Sequence, residues 1–107
     1  MTTDYVMVLC NCPDHQVAEQ LAETLVSEKL AACVNIMPEM KSVYRWQSEV
    51  ENDLEVQIQI KTILNLYDKL QQRIEVLHPY EVPEIIAIPI LRGSPSYMQW
   101  ITENTES

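Results

Sequence analysis

Residues 50–61 read Val50-Glu51-Asn52-Asp53-Leu54-Glu55-Val56-Gln57-Ile58-Gln59-Ile60-Lys61. Leu54, Val56, Ile58 and Ile60 alternate with Glu55, Gln57, Gln59 and Lys61. Successive side chains of an extended chain point to opposite faces, so this period of two predicts a strand with one apolar and one polar face. Just upstream, Cys33 to Trp46 predicts a second strand, interrupted near Pro38-Glu39-Met40. Gln47-Ser48 is then the hairpin turn, although it lacks the glycine such turns favour. Each arm holds about 12–14 residues and at roughly 3.3 Å per residue spans on the order of 40–45 Å. Typical strands have about 5–6 residues. A hairpin this long must project past its own core, and the projecting part needs a partner.

Working outward, Tyr5 to Cys10 is a continuous apolar run with β-branched residues, the pattern of a buried strand. Pro13-Asp14 opens a helix that is expected to run to about Lys29. Val17, Ala18, Leu21, Ala22 and Leu25 form its apolar stripe. On the other side of the hairpin, Leu66 to His78 predicts a second helix, striped by Leu66, Leu70, Ile74 and Leu77 and stopped by Pro79. Val82 to Leu91 predicts the last strand, placed at a sheet edge by Pro83 and Pro89. Ser94-Pro95 caps a short final helix carrying Tyr97, Met98, Trp100 and Ile101.

The order β-α-β-β-α-β plus a terminal helix predicts an α+β, ferredoxin-like sandwich, one domain over residues 1–107. Right-handed crossovers put both long helices on one face of a four-stranded sheet. The first and last strands are nevertheless apolar on both faces, since Ile85, Ile86, Ala87 and Ile88 cannot all point at the helices. An exposed Ile or Leu forgoes roughly 1.5–3 kcal/mol of burial, so self-association is expected. The chain has 107 residues, of which 47% are hydrophobic. Its 16 acidic and 7 basic residues give a net charge of −9. Nucleic acid and anionic membrane surfaces are disfavoured as partners by that charge, and cations are favoured. The N-terminal residues lack a signal-peptide pattern, no apolar stretch reaches the roughly 20 residues of a membrane span, and the three cysteines do not form a disulfide-scaffold pattern. These features predict a cytoplasmic protein.

Five segments carry a family resemblance: Val8-Leu9-Cys10, Leu30-Ala31-Ala32-Cys33-Val34-Asn35-Ile36, Val43-Tyr44-Arg45-Trp46, Lys61-Thr62 and His78-Pro79-Tyr80-Glu81-Val82-Pro83-Glu84. Together they resemble the CutA divalent-cation tolerance family over nearly the whole chain. The resemblance implies a tight homotrimer of ferredoxin-like protomers, similar in architecture to PII signalling proteins, with long hairpins reaching across subunits. It also implies a link to copper or another divalent metal, with no organic cofactor. Many members carry glycines where Glu39 and Ser48 stand here. The metal site proposed for some members uses a cysteine, a histidine and a glutamate. Cys10 and Glu84 match, whereas the histidine position falls on Leu77, immediately before His78.

The metal-ligand candidates are therefore Cys10, His78 and Glu84, each with a plainer reading beside it. Thiolate and imidazole suit copper or zinc, yet cysteine is among the most buried residue types and Cys10 also reads as core. Cys12 adds a second thiol, on the same side if the strand continues. His78 also reads as a helix-end residue bonding free carbonyls. Glu84 is either a charge guarding a sheet edge or a residue facing a cleft between subunits. Glu49, Glu51, Asp53 and Glu55 read as a solvated face of the hairpin; Tyr44, Trp46 and Trp100 could stack on a nucleobase or other planar ligand, but read better as interface anchors. The polar row of Gln57, Gln59 and Lys61 must find hydrogen-bond partners if enclosed. Catalysis is not expected, because the chain's one glycine, Gly93, cannot build a phosphate-cradling loop and no nucleophile elbow is present. The functions left are metal tolerance, sensing of a small ligand at subunit clefts, and structural anchoring.

Overall fold

The alternation at residues 54–61 is realised as a central strand of a four-stranded sheet in the computed structural model, which describes residues 4–106. Four strands and three helices alternate as β1 (Tyr5–Cys12), α1 (His15–Ser27), β2 (Cys33–Trp46), β3 (Glu49–Ile63), α2 (Tyr67–Leu77), β4 (Ile85–Pro89) and α3 (Pro95–Glu103). A 3₁₀ turn, Leu64–Leu66, leads into α2. The strand order is β2-β3-β1-β4 and every neighbouring pair is antiparallel.

Val6, Val8, Cys10 and Cys12 from β1 and Val56, Ile58 and Ile60 from β3 share one buried face. They pack with Ala18, Leu21 and Leu25 of α1 and Leu70 and Ile74 of α2, so both long helices cover that face. The opposite face carries Met7 and Leu9 of β1 beside Ile88 and Ile86 of β4. Ile86 and Ile88 remain 49% and 40% exposed. This is the unsealed apolar side that the two-faced strands predict.

The helix ends follow local chemistry. Asp14 caps α1, its Oδ1 accepting from the Val17 amide at 2.9 Å. The helix stops at Ser27, slightly before Lys29, because the chain closes a Schellman turn there. The amide of Leu30 reaches the Leu25 carbonyl, that of Lys29 reaches Val26, and Lys29 takes φ 61°. Ser94 stands at the N-cap position of α3 without a side-chain cap bond, and Pro95 supplies the helical start.

The hairpin is as long as its periodicity implies. Pro38 does not end β2; the register shifts between Ile36 and Glu39, and pairing resumes to Trp46↔Glu49. This bulge removes the proline from the ladder while keeping the strand continuous. Gln47 and Ser48 both adopt positive φ, 49° and 70°, the backbone that lets a two-residue loop match strand twist. β1 supports β3 only from Val56 onward. The half from Glu49 to Glu55 is therefore a two-stranded ribbon, with Val43 and Leu54 63% and 59% exposed.

Candidate functional site

Because β1 continues to Cys12, Cys10 and Cys12 lie on the same, helix-covered side of the sheet. His78 follows the last residue of α2 and leaves the helical conformation (φ −79°, ψ 136°). Its ring does not bond the free carbonyls of its own helix. Instead Nε2 donates to the Asn11 carbonyl at 2.7 Å, while Nδ1 accepts from the Tyr80 amide at 3.1 Å. These two bonds specify the Nε2–H tautomer and hold His78 only 6% exposed.

The outcome is a compact donor cluster. One donor atom each from Cys10, Cys12 and His78 lies within 4.8 Å of the others, all three residues buried. The hydrogen bond with Cys12, and then burial, push the Cys10 thiol well above its ordinary pKa. Two thiols and an imidazole form a soft set that fits copper or zinc rather than calcium or magnesium.

Glu84 is not in this cluster. Ile85 pairs with Cys10 and packs against the core, so the preceding residue turns to the other face. There Glu84 Oε1 accepts from Asn11 Nδ2 at 3.4 Å. Asn11 Oδ1 accepts in turn from Gln57 Nε2 at 3.3 Å, and Gln57 Oε1 from Gln59 Nε2 at 3.4 Å. Lys61 Nζ donates to Asn35 Oδ1 at 2.6 Å. The polar row of β3 thus finds its partners within the protomer. The structure brings Cys10 and His78 together with Cys12 and sets Glu84 apart.

Glu84 instead lines a groove of about 510 Å³ beyond the end of β1, between the hairpin and the 78–84 segment. Tyr44, Trp46 and Tyr80 form aromatic walls, and Glu55 contributes a second carboxylate. The solvated-face reading fails for Glu55, which is only 6% exposed and accepts from Tyr80 Oη at 2.8 Å. No sequence signal separates Glu55 from Glu49, Glu51 and Asp53, since all four alternate identically and only the folded 78–84 segment covers one. Tyr44 donates its hydroxyl to Asp53, and this bond, more than its surroundings, pushes its pKa up to about 12. Burial and then the charge of Glu55 raise the Glu84 carboxyl above its ordinary value. Trp100 lies elsewhere, stacked on Tyr97 with ring centroids 5.5 Å apart. Among the described residues, no helix is long and apolar enough to cross a membrane.

Residues 6–104 match the profile of the CutA1 divalent ion tolerance protein family. The chain is 48% identical over 99 residues to the divalent-cation tolerance protein CutA of Thermus thermophilus, covering 92% of this chain and 96% of that protein. It is 43% identical over 96 residues to human protein CutA, covering 90% of this chain but 54% of that protein, so it spans about half the human relative. Among solved structures, CutA1 from a psychrotrophic Shewanella superposes with a TM-score of 0.96 at 39% identity, covering 100% of both chains. Profile, relatives and superposition agree over the sheet, the long hairpin and the segment that carries His78. The chain belongs to the CutA1 divalent ion tolerance protein family.

Proposed function

We propose that this chain is a cytoplasmic, homotrimeric metal-tolerance protein that binds copper or a related soft cation and performs no catalysis. The observation that carries the metal reading is the convergence of Cys10, Cys12 and His78 donor atoms within 4.8 Å in a buried site. Sulfur and imidazole donors at that spacing suit a metal ion held between them, and the low-dielectric surroundings strengthen each bond to it. Binding a metal releases the thiol protons, while the neutral imidazole of His78 ligates through one ring nitrogen and gives up the hydrogen bond which that nitrogen makes, to the Asn11 carbonyl or to the Tyr80 amide.

The trimeric, ferredoxin-like and PII-like assembly is supported by the same chain's surfaces. Met7, Leu9, Ile86 and Ile88 leave one sheet face unsealed, and the projecting hairpin exposes Val43, Val50 and Leu54. Copies of the chain offer matching apolar faces, whereas water does not. The net charge of −9 supports cations as cargo and argues against nucleic acid. Three cysteines without a disulfide-scaffold pattern favour a reducing compartment. A second reading, a PII-like sensor of a small ligand, is favoured specifically by the groove beside Glu84.

Two measurements test the proposal. Copper uptake by the reduced protein, read by competition with a coloured cuprous chelator, should be stoichiometric. It should be lost in Cys10→Ser and Cys12→Ser and retained in Glu84→Gln. Unchanged uptake in both cysteine variants overturns the site. Light scattering should give a mass three times the 12.4 kDa of the chain, and a stable single-chain mass overturns the assembly.

A further inference from the structure

The groove beyond β1 is chemically unlike the thiol cluster. Its walls are the rings of Tyr44, Trp46 and Tyr80, and its carboxylates are Glu55 and Glu84, with Glu81 at the exposed side. None of its lining residues carries a positive charge. We propose that this groove is a binding site for a small organic ammonium ion, its charge set against the carboxylates and its alkyl part against the aromatic walls.

Three features favour that class of ligand over the alternatives. Rings attract cations through their electron-rich faces, and an ammonium desolvates onto an aromatic wall far more readily than a hydrated metal ion does. A hard divalent metal needs six or more oxygens gathered around it. Among the described residues, Cys10, Cys12 and His78 are the group of such side chains that converges, so the groove's carboxylates do not gather into an oxygen cage. Phosphorylated and other anionic ligands meet carboxylates here and no cation, on a chain of net charge −9.

The local electrostatics point the same way. Glu84 is exposed to the groove and feels the charge of Glu55, and no residue lining the groove is a cation that would balance the two carboxylates. The polar contact Glu84 makes is a long one, 3.4 Å to Asn11 Nδ2. An ammonium would supply the missing charge while Tyr80 keeps its bond to Glu55. The inference does not rest on the metal site, whose donors lie on the opposite face of β1.

The test is a titration of the metal-free 107-residue chain, followed by the indole resonance of Trp46, which is distinguished from that of Trp100 by the Trp100→Phe variant. Butylammonium, butanol and butyrate serve as probes of one size and three charges. Butylammonium should shift the Trp46 signal saturably, with a Kd that weakens on the order of tenfold in Glu84→Gln. Butanol and butyrate should leave the signal unmoved at the same concentrations. The proposal is overturned if butanol matches butylammonium, if magnesium binds more tightly than butylammonium, if Glu84→Gln has no effect, or if no probe reaches Trp46 because another copy of the chain fills the groove. Copper uptake that persists in Glu84→Gln separates failure here from failure of the metal reading.

Discussion

The ring of His78 holds the backbone of Asn11 from 67 positions away, Nε2 to carbonyl at 2.7 Å. That bond ties the exit of α2 to the end of β1 and brings the imidazole within 4.8 Å of two inward-facing thiols. Asn11 is flanked by Cys10 and Cys12, so one backbone contact brings His78 to both cysteines and, through the Asn11 side chain, links it to Glu84.

Removing this ring should destabilise the metal-free protein. His78→Ala deprives the Asn11 carbonyl of its 2.7 Å donor, leaving it the weaker one from Cys10 Sγ at 3.9 Å, and deprives the Tyr80 amide of its acceptor, in a largely buried place. The expected loss is about 1–3 kcal/mol of unfolding free energy, measured by urea denaturation in the presence of a chelator. An unchanged midpoint would mean that water replaces the imidazole at both contacts.

Tyr80→Phe isolates the groove side of the same segment. The substitution keeps the ring, which lies 4.7 Å from that of His78, and deletes the hydroxyl that donates to Glu55. Leaving a buried carboxylate without its donor should cost roughly 1–3 kcal/mol. In the double variant Tyr80→Phe with Glu55→Gln the two losses should not add, which a double-mutant cycle reads directly.

The left-handed positions offer gains in stability. Ser48 at φ 70° and Lys29 at φ 61° hold a backbone that ordinary side chains resist. Relief of that strain is offset in part by the extra freedom of glycine in the unfolded chain, so Ser48→Gly should stabilise by about 1 kcal/mol or less. Lys29→Gly should give a similar gain reduced by loss of the Glu106 ion pair, 3.5 Å away at the surface. Thermal unfolding should show both as a higher Tm, and a fall in Tm for Ser48→Gly would contradict the strain argument.

Glu28 and Arg73 join the end of α1 to α2 through a forked contact, Nε to Oε1 at 2.9 Å and Nη2 to Oε2 at 2.8 Å. The hydrogen bonds from Arg73 lower the Glu28 carboxyl from its ordinary value of 4.5. The folded chain therefore holds this proton less tightly than the unfolded chain. The pair's contribution is present above the unfolded pKa of 4.5 and fades as pH falls through the lowered folded value. The stability gap between the parent and Arg73→Gln should be small at pH 7, because the pair is solvent-exposed, and should close as the pH falls below 4.5. A gap that widens in acid would reverse the assigned sign.

The reach of the sequence is clearest in the hairpin and weakest at the loops. Alternation from Leu54 to Lys61 predicts β3 and its faces, and the apolar run from Tyr5 to Cys10 predicts a buried strand, which the structure extends to Cys12. The last strand is shorter than its apolar run, Ile85–Pro89 rather than 82–91, because a residue joins a sheet only where a neighbour's backbone meets it. The start of α2 shifts to Tyr67 because a 3₁₀ turn takes up Leu64–Leu66.

Local rules act over one or two turns of chain, and they sufficed to determine the elements, their order, the bond-seeking polar row and the apolar face left without cover. They place Cys10 and Cys12 on one side of a strand because side-chain direction there has a period of two. The meeting of His78 with both thiols, the burial of Glu55 alone among four alternating acids, and the parting of Glu84 from Cys10 were decided only by tertiary structure. Each depends on the path of the 78–84 segment around the end of β1, where residues distant along the chain meet and no periodicity records the encounter.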